Sequence, residues 1–209
     1  MNNAIIDILL VIPGFIIGFS LHEYAHAKAA DMLGDDTARR LGRLTIDPRA
    51  HIDVLGFIML LVARFGWGKP VPVNENNFKN PSREGMIVSL AGPMTNFIIA
   101  ILFIFVLKVI YVFQMTFFAS NLGQIILSMI WNTIWINLIL MVFNLIPIPP
   151  LDGYHILSGL LNFRKKGIHY QFYDKGPILL LIFVITGASR YVLIPPVQWM
   201  FNFLVEAIL

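Results

Sequence analysis

The sequence contains no cysteine, which excludes disulfide bonds, thiolate nucleophiles and thiolate metal ligands. Charged residues are scarce as well, at 13% of the 209 residues, whereas 57% of the residues are hydrophobic. A soluble domain of this length would need a larger polar surface than these residues can form. The mean hydropathy of +0.75 therefore predicts that most of the chain lies in a lipid bilayer.

Long apolar segments dominate the sequence and predict membrane-spanning helices. Two strong segments are Met86–Phe113 and Ile125–Pro149, and an earlier one, Ala4–Leu33, turns polar towards its end. In that first segment, Gly14 and Gly18 form a small-xxx-small pair that lets a neighbouring helix approach closely. The C-terminal part contains two apolar segments, Ile178–Thr186 and Val192–Leu209, which predict a final hairpin or two short spans. We expect Pro195-Pro196 to interrupt this part of the chain. We expect an all-α polytopic membrane protein of one domain, residues 1–209, with roughly four to six transmembrane helices.

The segments between these spans predict shorter elements. Val54–Phe65 is apolar but only about 18 Å long as a helix, so we expect a re-entrant or internally packed element. The alternating pattern of Arg43–Ile46 suits a short β-strand. Loops are expected over two polar stretches, Gly66–Arg83 and Arg164–Lys175.

Positive charges indicate how the chain is oriented in the membrane. Segments 34–53, 64–84 and 161–175 each carry about four Lys or Arg residues, whereas the N-terminal tail and segment 113–124 carry none. The positive-inside rule places the three basic segments in the cytosol and the N-terminus outside. The net charge is only +3, and most Lys and Arg residues lie in short segments between the spans instead of forming a continuous basic surface. We therefore do not expect nucleic acid as a partner.

The polar end of the first span contains a metal-binding pattern. His22, Glu23 and His26 form the sequence H-E-x-x-H, and residues four apart on a helix face the same side, as two ligands of a tetrahedral zinc ion would. Glu23 lies next to the first imidazole, close enough to accept a proton from water at the metal. Ionisable groups in a membrane helix usually mark function. The alternative explanation is that these side chains are merely solvated at the level of the lipid headgroups.

A catalytic zinc also needs a third protein ligand and an open position for water. Asp152 is the best candidate, because it follows a proline-rich break, N-L-I-P-I-P-P-L-D-G, where unwound backbone can line a cavity. A simple Asp turn at the end of a helix is the alternative explanation. Three histidines in other segments are weaker candidates: His51, His155 and His169.

The two motifs in this order resemble the site-2 protease family of intramembrane zinc metalloproteases, especially its short bacterial and archaeal members without a PDZ domain. Three further segments are similar to that family: G-R-L-T-I-D-P-R-A-H-I-D after the first motif, F-G-W-G-K-P-V-P-V-N in the next loop, and S-L-A-G-P-M-T-N-F at 89–97. The resemblance spans residues 14–160. It implies a catalytic core over residues 4–160, followed by C-terminal helices over residues 161–209.

The resemblance implies that Glu23 activates water and that one Zn2+ per chain is bound by three ligands: His22, His26 and Asp152. It also implies that Asn96 and Asn144 line the site and hold the substrate backbone or the reacting carbonyl, although both amides could instead serve helix packing. The implied activity is hydrolysis of peptide bonds in transmembrane substrate helices near the cytosolic side of the bilayer. The implied location is a bacterial or archaeal cell membrane, and the sequence does not indicate an oligomeric state.

Extended substrate is expected to pair with a strand edge near Arg43–Ile46. Among other classes, an intramembrane serine protease is disfavoured because no G-x-S-G sequence is present. An aspartyl protease is disfavoured because Tyr173-Asp174 lacks a partner G-x-G-D. The more serious alternative is a membrane protein that binds zinc without hydrolysis, as a scaffold, a carrier or a pseudoprotease. A carrier is expected to place polar groups along several spans, whereas here they gather at one depth.

Overall fold

The computed structural model describes residues 3–63, 66–161 and 167–209. Within these ranges the chain forms nine α-helices and no β-strand, which confirms the predicted all-α membrane fold. The helices, in chain order, are α1 (Asn3–Met32), α2 (Thr37–Arg40), α3 (Pro48–His51), α4 (Val54–Ala63), α5 (Pro81–Phe113), α6 (Asn121–Asn144), α7 (Asp152–Leu160), α8 (Gly167–Ile185) and α9 (Ala188–Ile208).

Four of the described helices are long and apolar enough to cross a bilayer: α1 from Ile6 onwards, α5, α6 and α9. This number agrees with the lower end of the predicted range. Large apolar side chains on α5, such as Leu102, Phe105 and Val109, are half exposed. In a helix whose backbone bonds are satisfied internally, such side chains are suited to lie against lipid.

Helices α1, α5 and α6 pack against one another, while α7 packs on α5 and α9 packs on α6. The approach of α1 to α6 depends on two glycines. A Cβ atom at Gly14 would lie 2.6 Å from Thr133 Oγ1, and one at Gly18 would clash with the amide oxygen of Asn137. Close approach of this kind is how small residues stabilise helix pairs in membranes. It brings the polar end of α1 against the neighbouring helices.

A compact apolar cluster holds α5, α6 and α9 together. Its fully buried members come from all three helices: Ala100, Ile104, Leu107, Ile134, Leu138 and Val197. Trp131 and Trp135 of α6 both pack against Phe201 of α9, with ring centroids 5.5 and 5.4 Å apart. Such contacts fix the helices that carry the polar residues described below.

Several helix ends differ from the predictions for identifiable reasons. Helix α5 begins at Pro81 instead of Met86, because the side chain of Asn80 accepts a hydrogen bond from the Arg83 N–H and caps the first turn. Helix α6 ends at Asn144 instead of Pro149, since the prolines that follow have no N–H with which to continue the helix.

The C-terminal helices also correct the predictions. Helix α9 runs through Pro195-Pro196, so the expected interruption there is wrong. The break lies instead at Gly187, whose φ of +74° suits glycine. Helix α8 begins at Gly167, so the expected loop Arg164–Lys175 is wrong from that residue onwards, and residues 162–166 lie outside the described ranges.

The predicted strand at Arg43–Ile46 is also wrong. These residues form bends and irregular backbone, and the Arg43 N–H donates to the Ala38 carbonyl rather than to a neighbouring strand. Among the described residues, a single isolated antiparallel bridge joins Ile52 to Gly68. The expected short apolar element forms α4, which at 10 residues is too short to span, and the predicted residues 64 and 65 lie outside the described ranges.

Candidate active site

Helix α1 places His22 and His26 on one face, one turn apart, as their spacing requires. Both histidines are buried, with 4% and 9% of their surface exposed. Their Nε2 atoms lie 2.9 Å apart and therefore approach a common point. Two rings held in this way can supply two ligands to a single cation.

Asp152, the first residue of α7, completes this group. Its Oδ2 atom lies 3.2 Å from Nε2 of His22 and 3.3 Å from Nε2 of His26. Ligand atoms around a tetrahedral zinc are about 3.3 Å apart, given zinc–ligand bonds of roughly 2.0–2.1 Å. The turn formed by residues 145–151, between α6 and α7, brings the carboxylate back to α1.

The outer nitrogen of each imidazole is fixed by an oxygen acceptor. His22 Nδ1 lies 2.7 Å from the side-chain oxygen of Asn96, and His26 Nδ1 lies 2.7 Å from the Val88 carbonyl. Each Nδ1 therefore carries the proton and donates it, which leaves the lone pair of each Nε2 directed at Asp152. Imidazoles that bind a metal are usually oriented in this way.

Two further observations indicate that these residues are suited to bind a zinc ion. The Asp152 Oδ2 atom is buried and has no hydrogen-bond donor among the described residues, because the two adjacent Nε2 atoms carry lone pairs in these tautomers. Such an atom is costly unless a cation neutralises it. The α5 backbone at Gly92 also leaves room there, since a Cβ atom would lie 2.6 Å from His22 Nε2 and would clash with His26 Nε2.

Asn96 lies behind His22 in a ladder of buried amides. Its Nδ2 atom donates to the Gly18 carbonyl at 3.1 Å and to Oδ1 of Asn137 at 2.9 Å. Asn137 in turn donates to the carbonyls of Gly14, at 3.3 Å, and Thr133, at 2.9 Å. These contacts suit an amide that orients His22. A role of Asn96 in holding substrate stays a prediction.

Asn137 was not among the predicted site residues. The signal available in the sequence was an amide in the middle of an apolar span, where an unpaired polar group would be costly. Nothing in the sequence identifies Asn96 as its partner, because the two residues lie on different helices, 41 positions apart.

A cavity of about 480 Å³ opens in front of the three ligand atoms. Its lining includes the proposed ligands, Glu23 and Asn144, together with residues from four other parts of the chain: Pro70, Val71, Val73, Glu75, Gly85, Val88, Ser89, Pro150, His155 and Tyr173. Asn144 donates from Nδ2 to the Leu140 carbonyl at 2.9 Å. Glu23 is buried, and its Oε2 atom accepts a hydrogen bond from the Val71 N–H at 2.8 Å.

The two other histidines whose side chains the structure describes are not part of the ligand group. His51 is fully buried and its Nε2 atom bonds to the Thr45 carbonyl at 2.7 Å. His155 lines the cavity and packs against Tyr173, with ring centroids 5.9 Å apart. The side chain of His169 lies outside the described part of the structure. Among the described residues, only His22, His26 and Asp152 come together as three metal-ligating groups.

Known proteins are similar to this sequence over most of its length. Residues 10–185 match the family model described as peptidase family M50. Three relatives carry the description "putative zinc metalloprotease". YwhC of Bacillus subtilis is 42% identical over 86% of this chain and 82% of its own. Rip2 of Mycobacterium tuberculosis is 31% identical over 93% of this chain and 73% of its own, and MJ0611 of Methanocaldococcus jannaschii is 30% identical over 75% of this chain and 73% of its own.

No solved structure matches the chain significantly. The extent of the family match and of these identities shows that the chain belongs to peptidase family M50, the site-2 protease family.

Proposed function

We propose that this protein is a membrane zinc endopeptidase that cuts peptide bonds of transmembrane substrate helices near the cytosolic side of the bilayer. One observation carries the proposal: three metal-ligating atoms converge beside Glu23 at a cavity between apolar helices. The names of its relatives as zinc metalloproteases support both the metal and the reaction.

In this proposal, zinc is held by His22, His26 and Asp152. A zinc ion at this position lowers the pKa of water and polarises a carbonyl group. The protein's own contribution is to hold its three ligand atoms at fixed distances and to keep a fourth direction open towards the cavity.

Glu23 is the proposed general base and then general acid. Its carboxylate lines the same cavity as the ligand atoms, and Oε2 is occupied by the Val71 N–H. Oε1 remains to accept a proton from the attacking water and to deliver it to the leaving amine. A carboxylate used in this way need not bind the metal.

Asn144 is proposed to contact the substrate. Its amide lines the cavity, and Nδ2 carries a second N–H besides the one donated to Leu140, so it can donate to a substrate carbonyl. Pro70, Val73 and Pro150 supply an apolar part of the cavity wall, which suits apolar side chains of a substrate. Because the backbone bonds of a transmembrane helix are satisfied internally, the substrate must unwind before it is cut.

The depth of the site supports cleavage below the membrane surface. His22 lies ten residues before the end of α1 at Met32, about 15 Å along the helix, so the site lies within a helix that is long and apolar enough to cross a bilayer. The basic segments at this end of α1 favour the cytosol, with the N-terminus outside. Relatives from bacteria and an archaeon support a prokaryotic cell membrane as the location.

The proposed domain comprises residues 1–209, with a catalytic core over residues 4–160. The C-terminal helices, over residues 161–209, also contribute to the site, because Tyr173 of α8 lines the cavity. Helix α8 packs closely at Gly176, where a Cβ atom would lie 2.5 Å from the Pro149 carbonyl oxygen.

Zinc analysis and cleavage assays with wild type and Glu23→Gln test this function. The substrates are fluorescently labelled single-span helices of varied sequence, reconstituted with the purified protein in lipid nanodiscs. Wild type is expected to contain one zinc per chain and to cut some of these helices. Glu23→Gln should keep its zinc and cut about 100- to 10,000-fold more slowly, because the proton acceptor is lost. A wild type that binds zinc without cutting any helix would instead favour the scaffold, carrier or pseudoprotease.

A further inference from the structure

The segment Lys69–Asn74, called the strap below, lies along the cavity wall and contacts the proposed general base. We propose that the strap is a positioning element: the Val71 N–H holds the Glu23 carboxylate in the orientation that proton transfer requires. The inference rests on the proposed role of Glu23 and adds a group, carried by the backbone, on which that role depends.

The contact joins parts of the chain that are 48 positions apart. The Val71 nitrogen lies 2.8 Å from Glu23 Oε2. Residues 70 and 72 are prolines, so Val71 supplies the only backbone N–H between Lys69 and Val73. No neighbouring N–H can replace it if the strap shifts by one residue. The same prolines favour an extended backbone at Val71.

Both ends of the strap form hydrogen bonds with residues 35–51, called the polar region below, which follow α1. At its start, the Lys69 N–H donates to the His51 carbonyl at 2.8 Å, and the Lys69 carbonyl accepts from Arg43 Nη2 at 2.6 Å. At its end, the Asn74 N–H donates to Asp35 Oδ2 at 2.7 Å. The strap is therefore held on either side of Val71.

This arrangement restricts the motion of the Glu23 side chain. A glutamate has three rotatable side-chain bonds, and ordering it costs conformational entropy. A charge-assisted hydrogen bond from a fixed N–H keeps one oxygen in place and leaves the other for proton transfer. Because reaction rates depend steeply on the alignment of reacting groups, loss of the N–H should slow turnover without removing zinc.

The most direct test replaces the Val71 amide by an ester, which deletes the N–H and keeps the side chain. We expect kcat to fall about tenfold, since one hydrogen bond to the carboxylate is lost. KM should change by less than about twofold, and zinc content should stay at one per chain. The matched control is the same ester at Lys79, an exposed residue outside the cavity lining, and it should leave kcat and KM close to their wild-type values.

Ordinary substitutions give an independent test. Val71→Pro removes the N–H, whereas Val71→Ala keeps it, so the alanine variant should retain a kcat several-fold above that of the proline variant. The thermal unfolding midpoint of metal-free protein supplies a readout besides activity. Val71→Pro should lower the midpoint more in the wild-type background than in Glu23→Ala, because the carboxylate is present only in the former.

An unchanged or increased kcat in the ester variant would overturn the inference, as would equal midpoint shifts in the two backgrounds. Either result would leave the proposed function standing if Glu23→Gln still cuts at least about 100-fold more slowly than wild type. Conversely, if the wild type cuts no substrate, the proposed function fails, while the midpoint shifts still decide whether the strap holds Glu23.

Discussion

The side-chain oxygen of Asn96 on α5 lies 2.7 Å from Nδ1 of His22 on α1, 74 positions away in the sequence. The Asn96 amide is itself held by Gly18 and Asn137. The orientation of one proposed metal ligand therefore depends on a second helix and, through Asn137, on a third.

Removing the Asn96 amide should weaken zinc binding. We expect Asn96→Leu to raise the zinc dissociation constant about 10- to 100-fold, since groups that orient metal-binding imidazoles contribute this much. Competition with a fluorescent chelator measures the change. Asn132→Leu is the control, because Asn132 lies on α6 and donates to the Ser128 carbonyl away from the site. Equal zinc affinities for Asn96→Leu and wild type would contradict the proposed orientation of His22.

Gly92→Ala tests the space around the proposed ligands. An added methyl group would collide with Nε2 of both His22 and His26, so we expect zinc content to fall well below one per chain. Gly123→Ala is the control for general destabilisation, since its Cβ atom would collide with the Phe117 carbonyl, far from the site in the chain. Metal analysis of the folded fractions separates the two effects. A Gly92→Ala protein with full zinc occupancy would show that α5 does not confine the imidazoles.

Asp35 should matter for the stability of the polar region. Its Oδ1 atom accepts hydrogen bonds from Thr37 and from Asn77 Nδ2, and Oδ2 accepts from the Asn74 N–H. In Asp35→Asn, the new NH2 group must face one of these donors, whichever way the amide is turned. We expect a loss of about 1–3 kcal/mol in the free energy of unfolding, measured by chemical denaturation. An unchanged stability would mean that the polar region is held by other contacts.

Low pH is expected to destabilise the polar region around Asp35. Burial raises the pKa of Asp35, but hydrogen bonds from Thr37, Asn74 and Asn77 outweigh it, so the pKa lies below its ordinary value. Because the pKa is lower in the folded state than in the unfolded state, the stabilisation is complete above the unfolded value, near 4, and is lost as the pH falls below it. The unfolding midpoint of wild type should drop more steeply below about pH 4 than that of Asp35→Asn. Parallel curves for the two proteins would contradict this assignment.

The membrane fold could be predicted from the sequence because it depends on segment length and hydrophobicity alone. The close approach of α1 at Gly14 and Gly18 was also predictable, since only a missing side chain allows it. Helix ends were harder, because the cap at Asn80 and the tolerance of α9 for Pro195-Pro196 depend on local geometry. The strand expected at Arg43–Ile46 is wrong. A β-strand needs a neighbouring strand to pair with, and alternation of polar and apolar residues along one segment does not supply one.

For the site, the sequence supplied residue types and spacing within each motif. It could not supply the relation between motifs, such as the position of Asn96 behind His22 or the contact of Val71 with Glu23. A backbone N–H has no side-chain signature, so Val71 could not be recognised from its residue type. These contacts depend on how α1, α5 and the strap pack together.

The central claim is that a carboxylate on α7 and two imidazoles on α1 bind one zinc ion. The most direct measurement is the zinc stoichiometry and affinity of purified wild type and Asp152→Ala, by mass spectrometry of the metal and chelator competition. Asp47→Ala, which removes a half-exposed carboxylate paired with Arg49, is the control. The account predicts one tightly bound zinc in wild type and in the control. It predicts that Asp152→Ala binds zinc more than about 100-fold more weakly, because loss of a ligand should cost more than loss of a residue that only orients a ligand. An Asp152→Ala protein that binds one zinc as tightly as wild type would contradict it.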